Sequence, residues 1–136
     1  MPHVPAHLRR FVVDRSGERC EYCQLSQVGQ EAAFHIDHIR PVAAGGETVA
    51  KNLALACVSC SLRKSARQTA FDPETKTEVS LFNPRRDVWL EHFQWNGVRV
   101  VGLTATGRAT VETLALNRQL ILAIRLEETT LGRHPF

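Results

Sequence analysis

The sequence predicts an α+β fold for this chain of 136 residues. Short apolar segments typical of strands alternate along the chain with amphipathic segments of helical spacing. Apolar residues make up 43% and charged residues 23% of the sequence, a balance typical of globular proteins and not of disordered chains. Because domains usually contain about 100–150 residues, we expect a single domain over residues 1–136.

The first half of the chain predicts two helices and two short strands. Leu8, Phe11 and Val12 recur at helical spacing, which predicts an amphipathic helix over Pro5–Asp14 that stops before Gly17. The other elements follow in order: a strand from Phe34 that stops at Pro41, a Gly-Gly loop over Ala44–Glu47, a strand over Leu53–Ala56, and a helix from Ser59 to about Thr69.

The second half predicts a turn, a strand and two helices. Its elements are a turn over Asp72–Thr75, a strand over Gly97–Thr104, a helix from Thr106, and a last helix that Asn117 caps, with Leu120, Ile121 and Ile124 on its apolar face. The aromatic side chains of Trp89, Phe93 and Trp95 are expected in the core, with His92 buried among them. Glu127 and Glu128 are expected on a solvated surface.

The four cysteines form two Cys-x2-Cys pairs, Cys20 with Cys23 and Cys57 with Cys60. Each pair can hold two thiolates on one tight turn, and two such turns make a tetrahedral site that suits zinc. A pair of disulfides, a redox role and a metal other than zinc are the alternatives. No secretory signal is visible, and no redox-type βαβ pattern surrounds the pairs, so we predict a structural zinc site.

Targeting and membrane signals are not visible in the sequence. The first ten residues contain no apolar stretch of the kind found in secretory signals. The longest apolar run, Leu53–Val58, is far shorter than the ~20 residues that cross a bilayer. We therefore expect a cytoplasmic protein with no membrane partner.

Two histidines and an aspartate crowd together in the predicted strand before Pro41. His35 and Asp37 share one face of a strand and His38 points to the other, unless the strand is ending there. A carboxylate is the hard oxygen ligand that a Mg²⁺-type cation prefers, and a neutral imidazole is a general base suited to pH near 7. Such a pair is the minimum for metal-assisted phosphodiester hydrolysis, although an Asp-His dipeptide alone is more often an ordinary surface turn.

The order of these motifs resembles the zinc-knuckle branch of the HNH endonuclease family. The motifs are Cys20-x2-Cys23, His35-Ile-Asp-His-Ile-Arg-Pro41, Gly45-Gly46, Asn52-Leu53, Cys57-x2-Cys60 and Lys64. The resemblance covers about Arg19 to Ser65, and the stretch from Leu81 to Arg118 looks like the C-terminal part of a bacterial HNH subgroup.

The resemblance implies a ββα-metal fold, with a core over about residues 19–70 and a C-terminal extension over about residues 71–136. By similarity, His38 is the general base, Asp37 a ligand of a catalytic Mg²⁺ or Mn²⁺, and Asn52 the residue that fixes the orientation of His38. The zinc with its four thiolates would be structural, since four protein ligands leave no open position.

One position departs from the family pattern. The family has Asn or His directly after the second cysteine pair as a second metal ligand, and here that residue is Ser61. The hydroxyl is a weaker donor, and His35 could take over as ligand. The alternative function is therefore a catalytically impaired, zinc-stabilised module that binds nucleic acid.

The charge pattern indicates where phosphate would bind. The net charge of +3 comes entirely from residues 1–70, which hold 9 basic and 6 acidic side chains. Candidate contacts are Arg40, Arg63, Lys64 and Arg67, the last three on the predicted helix, which contains no acidic residue. The expected partner is DNA by family resemblance, with RNA not excluded and the oligomeric state open.

Overall fold

The computed structural model describes residues 3–135 and confirms the α+β class. Within those residues, five α-helices accompany three two-stranded antiparallel sheets. The chain divides into two compact units: one holds the described residues up to Gln68 together with Asn83–Arg86, and the other holds Thr69–Phe82 together with the described residues from Asp87 onward. Among the described residues, none of the helices combines the length and the apolar character that a membrane span requires.

The first unit is built on two strands between two helices. Its elements are α1 (Ala6–Arg15), β1 (His35–His38), β2 (Leu53–Ala56) and α2 (Val58–Lys64). All four residues of β2 are buried, because α1 and α2 both contact this strand and β1 pairs with its edge. The antiparallel register places Asp37 opposite Ala54 and His38 opposite Leu53.

Two details of the predicted helices in this unit are wrong. Phe11, expected on the apolar face of α1, is 50% exposed, while its neighbour Val12 is fully buried. The helix expected to reach Thr69 ends at Lys64, because Ser65 adopts a φ of +49° in the left-handed region. Residues 65–69 are all exposed, so no apolar side chain is buried by extending the helix.

The second unit contains two hairpins and three helices. Its elements are β3 (Thr69–Phe71), β4 (Glu78–Ser80), α3 (Trp89–His92), β5 (Phe93–Asn96), β6 (Arg99–Gly102), α4 (Ala105–Thr113) and α5 (Gln119–Thr130). The turn over Asp72–Thr75, the strand within Gly97–Thr104 and the helix after Thr104 are confirmed. Trp89 and Phe93 are buried with ring centroids 4.8 Å apart, as expected of core residues.

The structure corrects three expectations for the last helix. Asn117 does not cap α5, because its side chain binds both backbone groups of Val100, each at 2.8 Å. Leu120 is 67% exposed, so the apolar face is formed by Ile121 and not by Leu120. Glu128 is buried, where its Oε2 accepts a hydrogen bond from Arg133 at 2.6 Å.

A buried carboxylate organises the β3–β4 turn. Asp72 accepts hydrogen bonds from the backbone N–H and the hydroxyl of Thr75, and from the Nε and Nη2 of Arg108 at 3.0 and 2.8 Å. The guanidinium of Arg108 is the main cause that holds the pKa of Asp72 well below its usual range. The folded protein therefore binds a proton at Asp72 less readily than the unfolded chain does.

We expect acid to weaken this unit through Asp72. A lowered folded-state pKa gives stability that is present above the unfolded pKa of about 3.9 and is lost as the pH falls toward the folded value. Asp72→Asn should therefore lower the midpoint of thermal unfolding near neutral pH, and its difference from wild type should shrink on acidification. Circular dichroism melts across that range measure this, with the exposed Asp14→Asn as control. A difference that stays constant with pH would contradict the assignment.

Candidate functional site

The four cysteine side chains meet in one buried cluster in the first unit. Their Sγ atoms all lie within 4.8 Å of one another, and the Sγ atoms of Cys23 and Cys57 are 3.7 Å apart. Thiolates placed tetrahedrally at about 2.3 Å from a zinc ion are separated by about 3.8 Å, so the donor set and its spacing fit zinc. Within residues 3–135, no other group of three or more His, Cys, Asp or Glu side chains is close enough to share a metal ion.

The local backbone shapes both halves of this cluster. Cys57 is the N-cap of α2, and its Sγ accepts a hydrogen bond from the backbone N–H of Cys60 at 3.4 Å. The N–H of Cys23 points at the Sγ of Cys20 in the same way, at 3.5 Å. Burial raises the pKa of Cys20, whereas hydrogen bonds from the other three thiols hold the pKa of Cys57 well below its usual range.

Asp37 is buried at the centre of a polar triad. The hydroxyl of Tyr22 donates to its Oδ2 at 2.7 Å, and the ammonium of Lys64 lies 3.4 and 3.2 Å from its two oxygens. The pKa of Asp37 is raised because burial outweighs the opposing effects of Lys64 and Tyr22. Burial, and next the charge of Asp37, raise the pKa of Tyr22 well above its usual value.

Lys64 lies inside the unit and not on its surface. Its side chain is 2% exposed, and its Nζ also donates to the backbone carbonyls of His38 and Ile39, each at 3.2 Å. The other three predicted phosphate contacts, Arg40, Arg63 and Arg67, are exposed, and Arg67 lies beyond the end of α2.

His38 stands at the end of β1, half-buried, with its Nε2 at 2.9 Å from the hydroxyl oxygen of Thr48. His35 lies at the other end of the same strand, and its Nδ1 is 2.9 Å from the hydroxyl oxygen of Ser61 at the first turn of α2. The structure thus brings His35 and Ser61, the two further candidate ligands, into contact with each other.

Asn52 ties the loop after β1 to the residue just before β2. Its Oδ1 accepts from the N–H of Arg40 at 2.9 Å, and its Nδ2 donates to the carbonyls of Arg40 and Glu47 at 3.0 and 2.9 Å. The loop packs so closely that a Cβ at Gly46 would lie 1.8 Å from the carbonyl oxygen of Arg40. Asn52 therefore fixes this loop by binding its backbone and not the ring of His38.

Asp37 supplies the type of ligand that a hard divalent cation prefers, and Tyr22 and Lys64 already contact its oxygens. Mg²⁺ is usually held by one or two carboxylates, with several waters and the substrate phosphate completing its shell. Asp37 offers one carboxylate, and its oxygens have more acceptor positions than Tyr22 and Lys64 use.

Sequence reasoning did not single out Tyr22 and Thr48 as site residues. Tyr22 is the only tyrosine of the chain and sits inside the first cysteine pair, which is a signal that could have drawn attention to it. Thr48 carries no comparable signal, because its role depends on how the Gly-Gly loop folds back toward β1.

Comparison with known protein families gives a match, and it covers the segment that contains the candidate site. No curated protein and no solved structure matches the chain. The model of the HNH endonuclease family matches residues 20–67, about a third of the chain. This match confirms the resemblance that the sequence motifs indicated. The matched segment contains the cysteine cluster, Asp37, His38 and Asn52.

Proposed function

We propose that this protein is a metal-dependent endonuclease that hydrolyses phosphodiester bonds in DNA. The observation that carries the proposal is the placement of His38 and Asp37 at the end of β1, in a segment that matches the HNH family. Cysteines that bind zinc as thiolates suit a reducing compartment, so we also propose a cytoplasmic location.

His38 is the general base in this proposal. A neutral imidazole at the end of a strand can take a proton from a water whose oxygen bonds to the phosphorus while the bond to one ester oxygen breaks. Asp37 would hold the divalent cation, with His35 and Ser61 as further donors. A bound Mg²⁺ or Mn²⁺ supplies Lewis-acid stabilisation of the charge that develops on the phosphate oxygens.

The cysteine cluster has a structural role in this proposal. Four protein ligands fill the coordination sphere of a zinc ion and leave no position for substrate. The cluster joins the segment before β1 to the start of α2, so it holds in place the two elements that flank the site.

Arginine side chains would contact the nucleic acid backbone. Arg40 and Arg63 are exposed near the ends of β1 and α2, and Arg67 follows α2. A guanidinium matches the geometry of phosphate, and such contacts carry no base information. Because the ammonium of Lys64 is buried against Asp37, we propose an internal role for it and no phosphate contact.

Two observations favour the second candidate, a catalytically impaired zinc-stabilised module that binds nucleic acid. Asp37 already contacts Tyr22 and the ammonium of Lys64, and Ser61 is a weak metal donor. Both features reduce the attraction of this site for a cation.

We expect the purified protein to nick supercoiled plasmid DNA when Mg²⁺ or Mn²⁺ is present. EDTA should abolish this cleavage. His38→Ala should lower the rate by about 100-fold or more, the range that general-base catalysis contributes. His7→Ala is the matched control, because His7 is an exposed histidine on α1. Equal nicking by His38→Ala would indicate a contaminating nuclease, and DNA binding without cleavage would favour the impaired module. A single-stranded RNA tested in parallel decides between DNA and RNA.

We expect a single zinc ion in each chain. Cys60→Ser should lose most of the bound zinc and melt at a lower temperature, because three ligands hold the ion less firmly. Elemental analysis and thermal unfolding measure both effects, with Ser59→Ala in the same helical turn as control. Full zinc content in Cys60→Ser would rule out a four-cysteine site.

We expect Ser61→Asn to bind Mn²⁺ more tightly than wild type. An amide oxygen is a better donor than a hydroxyl, and even outer-shell partners change metal affinity by about 10-fold to 100-fold, so a gain of at least about tenfold is expected. Isothermal titration calorimetry measures it, with Ser59→Asn on the same helix as control. Equal or weaker binding by Ser61→Asn would show that this position does not ligate the cation.

A further inference from the structure

The imidazole of His38 is held by one side-chain contact, the hydroxyl of Thr48. We infer that Thr48 is a positioning residue that keeps His38 in the tautomer with its proton on Nε2, so that Nδ1 is the nitrogen that accepts a proton. This inference rests on the proposed function, because it names the atom of His38 that acts as the base.

The backbone places His38 but leaves its ring free to turn. His38 pairs with Leu53 across the sheet, and the N–H of the next residue, Ile39, donates to the carbonyl of Asn52 at 2.9 Å. Among residues 3–135, the hydrogen bond between Nε2 and the Thr48 hydroxyl, 2.9 Å long, is the one found for the ring. This bond therefore fixes the rotation of the imidazole, and within the described residues it engages Nε2 and not Nδ1.

Thr48 can hold the ring because its own loop is fixed. Asn52 binds the carbonyl of Glu47, the residue directly before Thr48, and the N–H of Gly46 donates to the carbonyl of Pro41 at 3.0 Å. The close approach of Gly46 to the carbonyl of Arg40 leaves no room for a side chain there. Asn52 thus reaches His38 through Glu47 and Thr48 and not by direct contact.

Proton accounting selects one of the two tautomers. A threonine hydroxyl can donate or accept, and a neutral imidazole carries one proton on one of its two nitrogens. If Thr48 donated to Nε2, the proton of His38 would sit on Nδ1 and neither nitrogen would have a free lone pair. If Thr48 accepts from Nε2–H, the lone pair of Nδ1 can take a proton from water, and the contact persists in the resulting imidazolium.

Nitrogen NMR of the full-length, zinc-loaded protein tests this assignment without relying on activity. Long-range ¹H–¹⁵N spectra separate protonated from unprotonated ring nitrogens, and the signals that disappear in His38→Gln identify His38. We expect wild type to carry the proton on Nε2. Thr48→Val, which keeps the side-chain shape, should give a mixture of tautomers and a kcat lower by about 10-fold to 100-fold at unchanged KM. Thr48→Ser, which keeps the hydroxyl, should retain the wild-type tautomer and the wild-type kcat.

Each alternative result decides the question. A proton on Nδ1 in wild type, or a Thr48→Val protein with the wild-type tautomer and kcat, overturns the inference. If Thr48→Val does not fold, Thr48→Ala is compared with Thr48→Ser in the same way. If wild type cuts no nucleic acid, the proposed nuclease function fails, while the NMR comparison of wild type with the Thr48 variants still judges the positioning role.

Discussion

A single buried ammonium group joins the elements on which the candidate site depends. The Nζ of Lys64, at the end of α2, contacts the carboxylate of Asp37 and the backbone carbonyls of His38 and Ile39. An ammonium removed from water costs several kcal/mol unless oxygens surround it, so α2 can dock on β1 only where these oxygens meet Lys64. The docking of the helix and the position of the Asp-His pair are therefore set by the same contact.

The ion pair of Asp37 and Lys64 contributes more to fixing how α2 docks on β1 than to the net stability of the fold. The pKa of Asp37 is raised, which means that the cost of burying the carboxylate exceeds the attraction of Lys64 and the hydrogen bond from Tyr22. Replacing buried ion pairs with apolar side chains is often neutral or stabilising. We expect the buried strand β2 and a zinc ion bound by the cysteine cluster to stabilise this unit more than the ion pair does.

Local sequence patterns predicted many of the helices and strands. The predictions that were wrong concern details that depend on tertiary contacts. The cysteine spacing and the strand that stops before Pro41 are legible in the sequence because each depends on neighbouring residues. The end of α2 is not legible, because it depends on the left-handed backbone of Ser65. The role of Asn117 is not legible either, because its side chain binds Val100 on a strand 17 residues away. For the same reason Thr48 and the burial of Lys64 escaped prediction: each meets its partner only after the loop and α2 have folded.

These contacts also change how the charge of the chain bears on nucleic acid. Four thiolates with one Zn²⁺ would add a net −2 to the formal +3, leaving about +1, and the charge of Lys64 is opposed internally by Asp37. Long-range attraction to DNA should then be small. Affinity would depend on exposed guanidinium groups near the site, Arg40, Arg63 and Arg67, each of which releases about one counterion when it meets a phosphate. The location of these side chains, more than the total charge of the protein, determines where the phosphate backbone of the nucleic acid would bind.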